Sequence, residues 1–193
     1  CDAFYFSVAF ITNSGIASII NVLKELEERG VKGKIIASQY QNFTQPEALR
    51  RLKALSNIEL KIVTEDNFHA KSYIFRKGTR FTLIIGSSNL TQNALSYNKE
   101  WNLKVSSAED GDLLKYTMKE FNRTFESAIA VTDKWLADYE ILYREQYKAS
   151  RQVVYDVQTT KAILPNKMQL EALEALEKLR SEGKDKALLI SAT

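Results

Sequence analysis

The strongest constraint on this chain is an alternation, within its first 106 residues, of short apolar runs and segments with helical spacing. Ala3 to Phe10 is apolar and aromatic and reads as a buried strand. Gly15 to Arg29 carries Ile16, Ile19, Ile20, Leu23 and Leu26 at helical spacing. Asn13 or Ser14 can cap its start, and Gly30 suits its end. Lys34 to Ser38 reads as a second strand, Pro46 opens a helix through about Leu55, and Ile58 to Val63 is a third strand. Strands that alternate with helices in this way build an α/β sheet with most strands buried.

A hairpin follows. It is expected to run from His69 to Phe75, turn at Arg76-Lys77-Gly78-Thr79, and return from Arg80 to Gly86. Its antiparallel pairing makes the sheet mixed. Glu100 to Ser106 alternates as one more strand. Beyond Asp110 the chain turns helical, with a stripe of Leu113, Leu114, Met118, Phe121 and Phe125. Thr132 can cap a second helix that carries Trp135, Leu136, Tyr139, Leu142 and Tyr143. These aromatic stripes read as core rather than as a base-stacking surface. Residues 150–162 lack a helical period and read as a linker, with a short strand at Val153 to Val157 as an option. Residues 163–193 then give a helix from about Gln169 to Ser181, ended by Gly183, and an apolar strand from Ala187 to Ser191. The organisation expected is a domain at 1–149, a linker at 150–162 and the start of another domain at 163–193.

Composition removes several chemistries. No apolar run approaches ~20 residues, so no membrane span is expected. One cysteine excludes an internal disulfide and a cysteine-built zinc site, and fits a reducing, cytoplasmic setting. One histidine excludes a multi-histidine metal centre within a single chain. The net charge of +3 is modest, but Lys71, Arg76, Lys77, Arg80, Lys99 and Lys104 fall between His69 and Lys104 against one acid, Glu100. Such a stretch attracts anions. The chain starts at Cys1 and enters an apolar run at once, which reads as a piece of a longer protein.

The residues that carry chemistry sit on the hairpin. His69 and Lys71 are two apart, so on a strand they share a face. An imidazole beside a fixed ammonium suits phosphodiester chemistry: one attacks, the other neutralises phosphate oxygens. Gly86 allows close backbone approach to a ligand, and Ser87, Ser88 and Asn89 add neutral donors. Glu100 follows on the next strand, where a carboxylate can orient an imidazole.

This set resembles the phospholipase D superfamily, whose signature is His-x-Lys, an Asp, and then Gly-Ser-x-Asn. His69, Lys71, Gly86, Ser87 and Asn89 match, and Asn98-Lys99-Glu100 resembles the Asn-x-Glu of the nuclease branch. The resemblance covers about Ala3 to Ser106. It implies a phospholipase D-like mixed sheet flanked by helices. It also implies metal-independent chemistry through a phosphohistidine on His69, with phosphate held by Lys71, Ser87 and Asn89, and His69 oriented by Glu100. Two departures stand out. Arg76 occupies the Asp position, with no acid from Ser72 to Lys99, and the interval to Gly86 is three residues longer than the usual pattern. The family uses two motifs and this chain has one, so a homodimer would complete the site. Two facing imidazoles titrate as a coupled pair, one neutral and one protonated.

The tail resembles the entrance to a superfamily 2 (DEAD/DEAH-like) helicase. Leu164-Pro165-x-x-Met168-Gln169, a helix, and Lys186 to Thr193 follow its order. The resemblance implies that Gln169 reads adenine and that the phosphate loop begins just past Thr193. ATP and Mg would then serve the full-length protein, with no cofactor at the phosphodiesterase site. Together these readings point to a nuclease domain on a helicase or restriction-type protein acting on nucleic acid, DNA in the simplest case. Arg76, Lys77, Arg80 and Lys99 are the expected nucleic-acid contacts. An inactive module that binds nucleic acid or dimerises the helicase is the second reading, and the absent Asp favours it. A lipid phosphodiesterase is the third, and the helicase-like tail argues against it.

Overall fold

The computed structural model describes residues 1–39, 42–65, 68–159 and 167–184. Its elements in chain order are β1 (Ala3–Val8), α1 (Asn13–Glu28), β2 (Lys32–Ser38), α2 (Pro46–Lys53), β3 (Ile58–Val63), β4 (Ser72–Lys77) and β5 (Arg80–Gly86). They continue with α3 (Gln92–Ser96), β6 (Asn102–Ala108), α4 (Asp112–Ser127), β7 (Ile129–Ala130), α5 (Asp133–Thr159) and α6 (Lys167–Ser181). The chain divides into a unit at Cys1–Tyr147 and a second at Lys148–Thr193.

Among the described residues the first unit holds one seven-stranded sheet in the order β6-β5-β4-β1-β2-β3-β7. β1 pairs with β2, and β2 with β3, in parallel. β4, β5 and β6 extend the sheet antiparallel from β1. This is the mixed α/β sheet expected from the alternation. One face carries α1, α2 and the start of α5 on Phe4, Phe6, Val8, Ile35 and Ile62. The opposite face carries α4, where Leu114, Phe121 and Phe125 meet Ile36, Ile74 and Leu83. Burying each of those phenylalanines contributes about 1.5–3 kcal/mol. The aromatic stripes are therefore core: Phe121 stacks on Phe125, and Trp135 on Tyr139.

Several local expectations need correction. Thr12, rather than Asn13 or Ser14, caps α1 by accepting from the Gly15 amide at 3.1 Å. The hairpin turn is tighter than Arg76–Thr79. Lys77 still pairs with Arg80, leaving Gly78 and Thr79 as a two-residue loop, with Gly78 at φ 58°. Glycine takes that left-handed conformation without strain, and the type II′ loops that suit strand twist place it first. Residues 150–159 were expected to lack helical order and to offer a strand at Val153–Val157. They are instead the last turns of α5, whose start is capped by Thr132 as expected. Ala187–Ser191, expected as a strand, lies outside the described residues.

Candidate active site

The strand directions bring the site together. β1 runs parallel to its helix-linked neighbours, and β4 is antiparallel to it, with Ser72 opposite Ser7. The entry to β4, the exit of β5 and the entry to β6 therefore meet at the C-terminal end of β1. Ligands of open α/β sheets bind at this end of the parallel strands.

His69, Ala70 and Lys71 precede β4 rather than forming its first residues, so strand alternation does not explain their shared direction. Direct contact does. Lys71 Nζ lies 2.8 Å from His69 Nδ1 and 3.2 Å from Nε2, and donates to the His69 carbonyl at 2.9 Å. The ring is exposed, whereas Lys71 is only 8% exposed. Burial pushes the Lys71 ammonium below its ordinary pKa, and the Glu100 charge partly opposes that shift. An ammonium has only donors, so in this contact Lys71 donates and a ring nitrogen of His69 accepts through its lone pair.

Glu100 also precedes its strand, since β6 begins at Asn102. Its carboxylate accepts from the Ser87 hydroxyl and, at 3.2 Å, from Asn98 Nδ2. Those two bonds, Ser87 first, hold the Glu100 carboxyl below its ordinary pKa. Ser87 is locked further: its amide donates to the Trp101 carbonyl at 3.0 Å, and its hydroxyl accepts from the Trp101 amide at 3.1 Å. Gly86 is required here by the neighbouring strand rather than by a ligand, because a Cβ would collide with the Trp101 carbonyl. Asn89 is buried, and its carboxamide oxygen accepts from the Phe10 amide at 3.2 Å. That bond ties the loop after β5 to the end of β1 and leaves the Asn89 NH2 as the donor for a ligand. The half-buried Tyr73 braces the same loop by donating its hydroxyl to the Ser88 carbonyl at 3.0 Å, and desolvation raises its pKa.

His69, Lys71, Ser72 and Gly86 line an open cleft of about 540 Å³ together with Tyr116, Thr117 and Glu120 of α4. The α4 residues were missed from sequence. Its apolar stripe shows which side is buried, but not which residues fall at the rim of a cleft.

The four expected nucleic-acid contacts separate. Lys99 is exposed on the loop that carries Glu100. Arg76, Lys77 and Arg80 lie at the opposite end of the hairpin, where they line a different cleft of about 710 Å³ with Cys1, Phe75 and Phe81. Arg76, in the expected Asp position, donates to the Gly78 carbonyl at 3.1 Å. A carboxylate does reach this turn, from outside the hairpin: Asp2 Oδ2 accepts from the Gly78 amide at 2.6 Å. Gln169 is exposed in the first turn of α6, within the second unit.

Residues 3–129 match the family model described as "Cardiolipin synthase, PLD-like domain". The chain belongs to the phospholipase D-like family. No curated protein is significantly similar to it in sequence. Solved structures share the fold, three among them as follows. NucT from Helicobacter pylori is 18% identical, with 67% of this chain and 82% of that one covered at a TM-score of 0.53. A phospholipase D family member, Nuc from Salmonella typhimurium, is 22% identical, with 68% and 82% covered at 0.50. Phosphatidylserine synthase from Haemophilus influenzae Rd KW20 is 15% identical, with 79% and 41% covered at 0.53. The expected phospholipase D-like mixed sheet flanked by helices is thus present, with the family match running over residues 3–129. Among the described residues no helix is long and apolar enough to cross a membrane.

Proposed function

We propose that this phospholipase D-like domain hydrolyses nucleic-acid phosphodiesters without a metal, through His69, in a site shared by two copies of the chain. The contact between Lys71 and the His69 ring carries the reading. A diester oxygen is a better acceptor for an ammonium than a ring nitrogen. An incoming phosphate draws Lys71 onto itself and releases the imidazole lone pair. His69 then attacks phosphorus, forming a P–N bond as the P–O bond to the leaving group breaks. The protonated imidazole of the second copy gives its proton to the leaving oxygen. That ring then takes a proton from water, whose oxygen attacks phosphorus and breaks the P–N bond. Lys71 and the Asn89 NH2 supply donors to the phosphate oxygens, Ser87 joins them when its hydroxyl turns from the Glu100 carboxylate to the phosphate, and Glu100 steadies the Lys71 charge.

The NucT and Nuc structures among the fold relatives support a nucleic-acid substrate, DNA in the simplest case. The helix at Lys167–Ser181, with Gln169 at its start, supports a parent protein of the superfamily 2 helicase type. In it Gln169 would contact the adenine of ATP, with Mg bound alongside, while the His69 site needs no cofactor. Purified protein incubated with plasmid or bis-p-nitrophenyl phosphate tests the chemistry. Cleavage that persists in chelator and disappears in His69→Ala supports it; cleavage that needs a metal, or survives that substitution, overturns it. Arg76 at the Asp position favours a second reading, a module that binds nucleic acid without turnover. Salt-sensitive binding by wild-type protein with no cleavage of either substrate selects it.

A further inference from the structure

The side of the sheet that bears the cleft carries aromatic and apolar surface that the core does not use. Trp101 is 89% exposed, Tyr116 67% and Leu103 63%, large values for residues of this size. They belong to one face. Leu103 is the register partner of Ile85, which lines the cleft with Tyr116, and Trp101 continues the ladder one step past Gly86–Asn102 by pairing with Ser87, which puts it on the face of Leu103. Nor does Trp101 hang from a loose loop. Both its backbone groups are bonded to Ser87, so its backbone is held beside that residue of the candidate site. The charge around it suits a polyanion. Lys99, Lys115 and Lys119 are exposed nearby in sequence, while Glu100 is engaged by Ser87 and Asn98, and Glu120 by Arg123 at 2.6 Å.

We infer that Trp101 and Tyr116 form a stacking platform for unpaired bases beside the phosphate held at His69 and Lys71. Single-stranded nucleic acid is then the substrate class, a conclusion that rests on the phosphodiesterase reading above. In duplex the base faces are already stacked on one another. In a single strand they are free, and stacking on an aromatic side chain is worth about 1–3 kcal/mol per base.

The test compares wild type, Trp101→Ala, Trp101→Phe and Tyr116→Ala on a labelled oligo-dT and on methyl p-nitrophenyl phosphate, a diester without a base. Trp101→Ala is expected to lower kcat/KM on the oligonucleotide about tenfold or more beyond any loss on the small diester, mainly through KM, with Trp101→Phe recovering part of it. Oligo-dT binding to a His69→Ala protein, read by anisotropy, should weaken to a similar degree on adding Trp101→Ala, and a duplex should bind less tightly than the single strand. Equal losses on both substrates, or no loss on the oligonucleotide, overturn the platform. So does a fall in mass by sedimentation on Trp101→Ala, which makes the patch a contact between copies. If wild type cleaves neither substrate but Trp101→Ala weakens binding, the platform stands and the chemistry falls. If the small diester is cleaved but Trp101→Ala leaves oligonucleotide affinity intact, the chemistry stands and the platform falls.

Discussion

The two ends of the β4–β5 hairpin both present cations, and they treat them differently. At one end Lys71 is buried and bonded to a histidine, near a serine and an asparagine tied to backbone and a glutamate held by the Ser87 and Asn98 side chains. At the other, Arg76, Lys77 and Arg80 are exposed around a two-residue turn, with Arg76 bonded to the turn itself. A desolvated cation in a fixed frame meets an anion with little reorganisation, whereas a solvated one is screened by salt and costs side-chain entropy to immobilise. The first end is built for chemistry at one phosphate. The second can contribute to holding a polyanion and little more.

The sharpest break between the two ends comes from His69→Ala. We expect a loss of about a thousandfold or more in kcat/KM on bis-p-nitrophenyl phosphate, with an unchanged unfolding midpoint because the ring is exposed. Lys71→Met should cost about a hundredfold in rate without lowering that midpoint. The sign follows from the depressed pKa. Between the folded value and the unfolded value near about 10.4, the unfolded chain holds more protons. Lys71 therefore lends stability only as pH rises through that window, and costs stability at neutral pH. Calorimetry on the variant, beside its kinetics, shows whether a functional cation is held at the expense of the fold.

Arg76→Ala with Arg80→Ala should change the rate on a small diester by less than about threefold, since those residues lie a strand's length from His69. On a polynucleotide, the slope of log affinity against log salt should become shallower by about one for each phosphate that these cations no longer neutralise. A large effect on the small diester would erase the distinction between the ends. The smallest effect concerns Glu100. Its lowered pKa means that its contribution to stability is present above the unfolded value, near about 4.3, and is lost as pH falls through the folded value. Glu100→Gln should flatten that part of the acid limb in thermal unfolding between about pH 6 and 3.

Much of this fold is legible in the chain because local pattern and tertiary role agree. Ile16, Leu23 and Leu26 recur at helical spacing, and they are buried against the sheet. β7 and α3, two and five residues long, are too short to express a period and were not foreseen. The continuation of α5 to Thr159 is hidden for a different reason: Val153, Val154 and Val157 are β-branched and suit a strand, yet their spacing also fits a helix propagated from its preceding turns. Within the site, residue types were readable and partners were not. Nothing local announces that Asn89 bonds Phe10, that Ser87 is clasped by Trp101, or that Asp2 supplies a carboxylate to the hairpin turn. Those contacts join segments that only the strand order brings together.

Subunit mixing measures the shared site directly. Wild-type and His69→Ala chains, co-refolded or co-expressed in graded ratios, give pairs with two, one or no copies of the imidazole. If each reaction needs both rings, activity falls as the square of the wild-type fraction. A linear fall would show that one copy of His69 suffices and would contradict a site completed by a second chain.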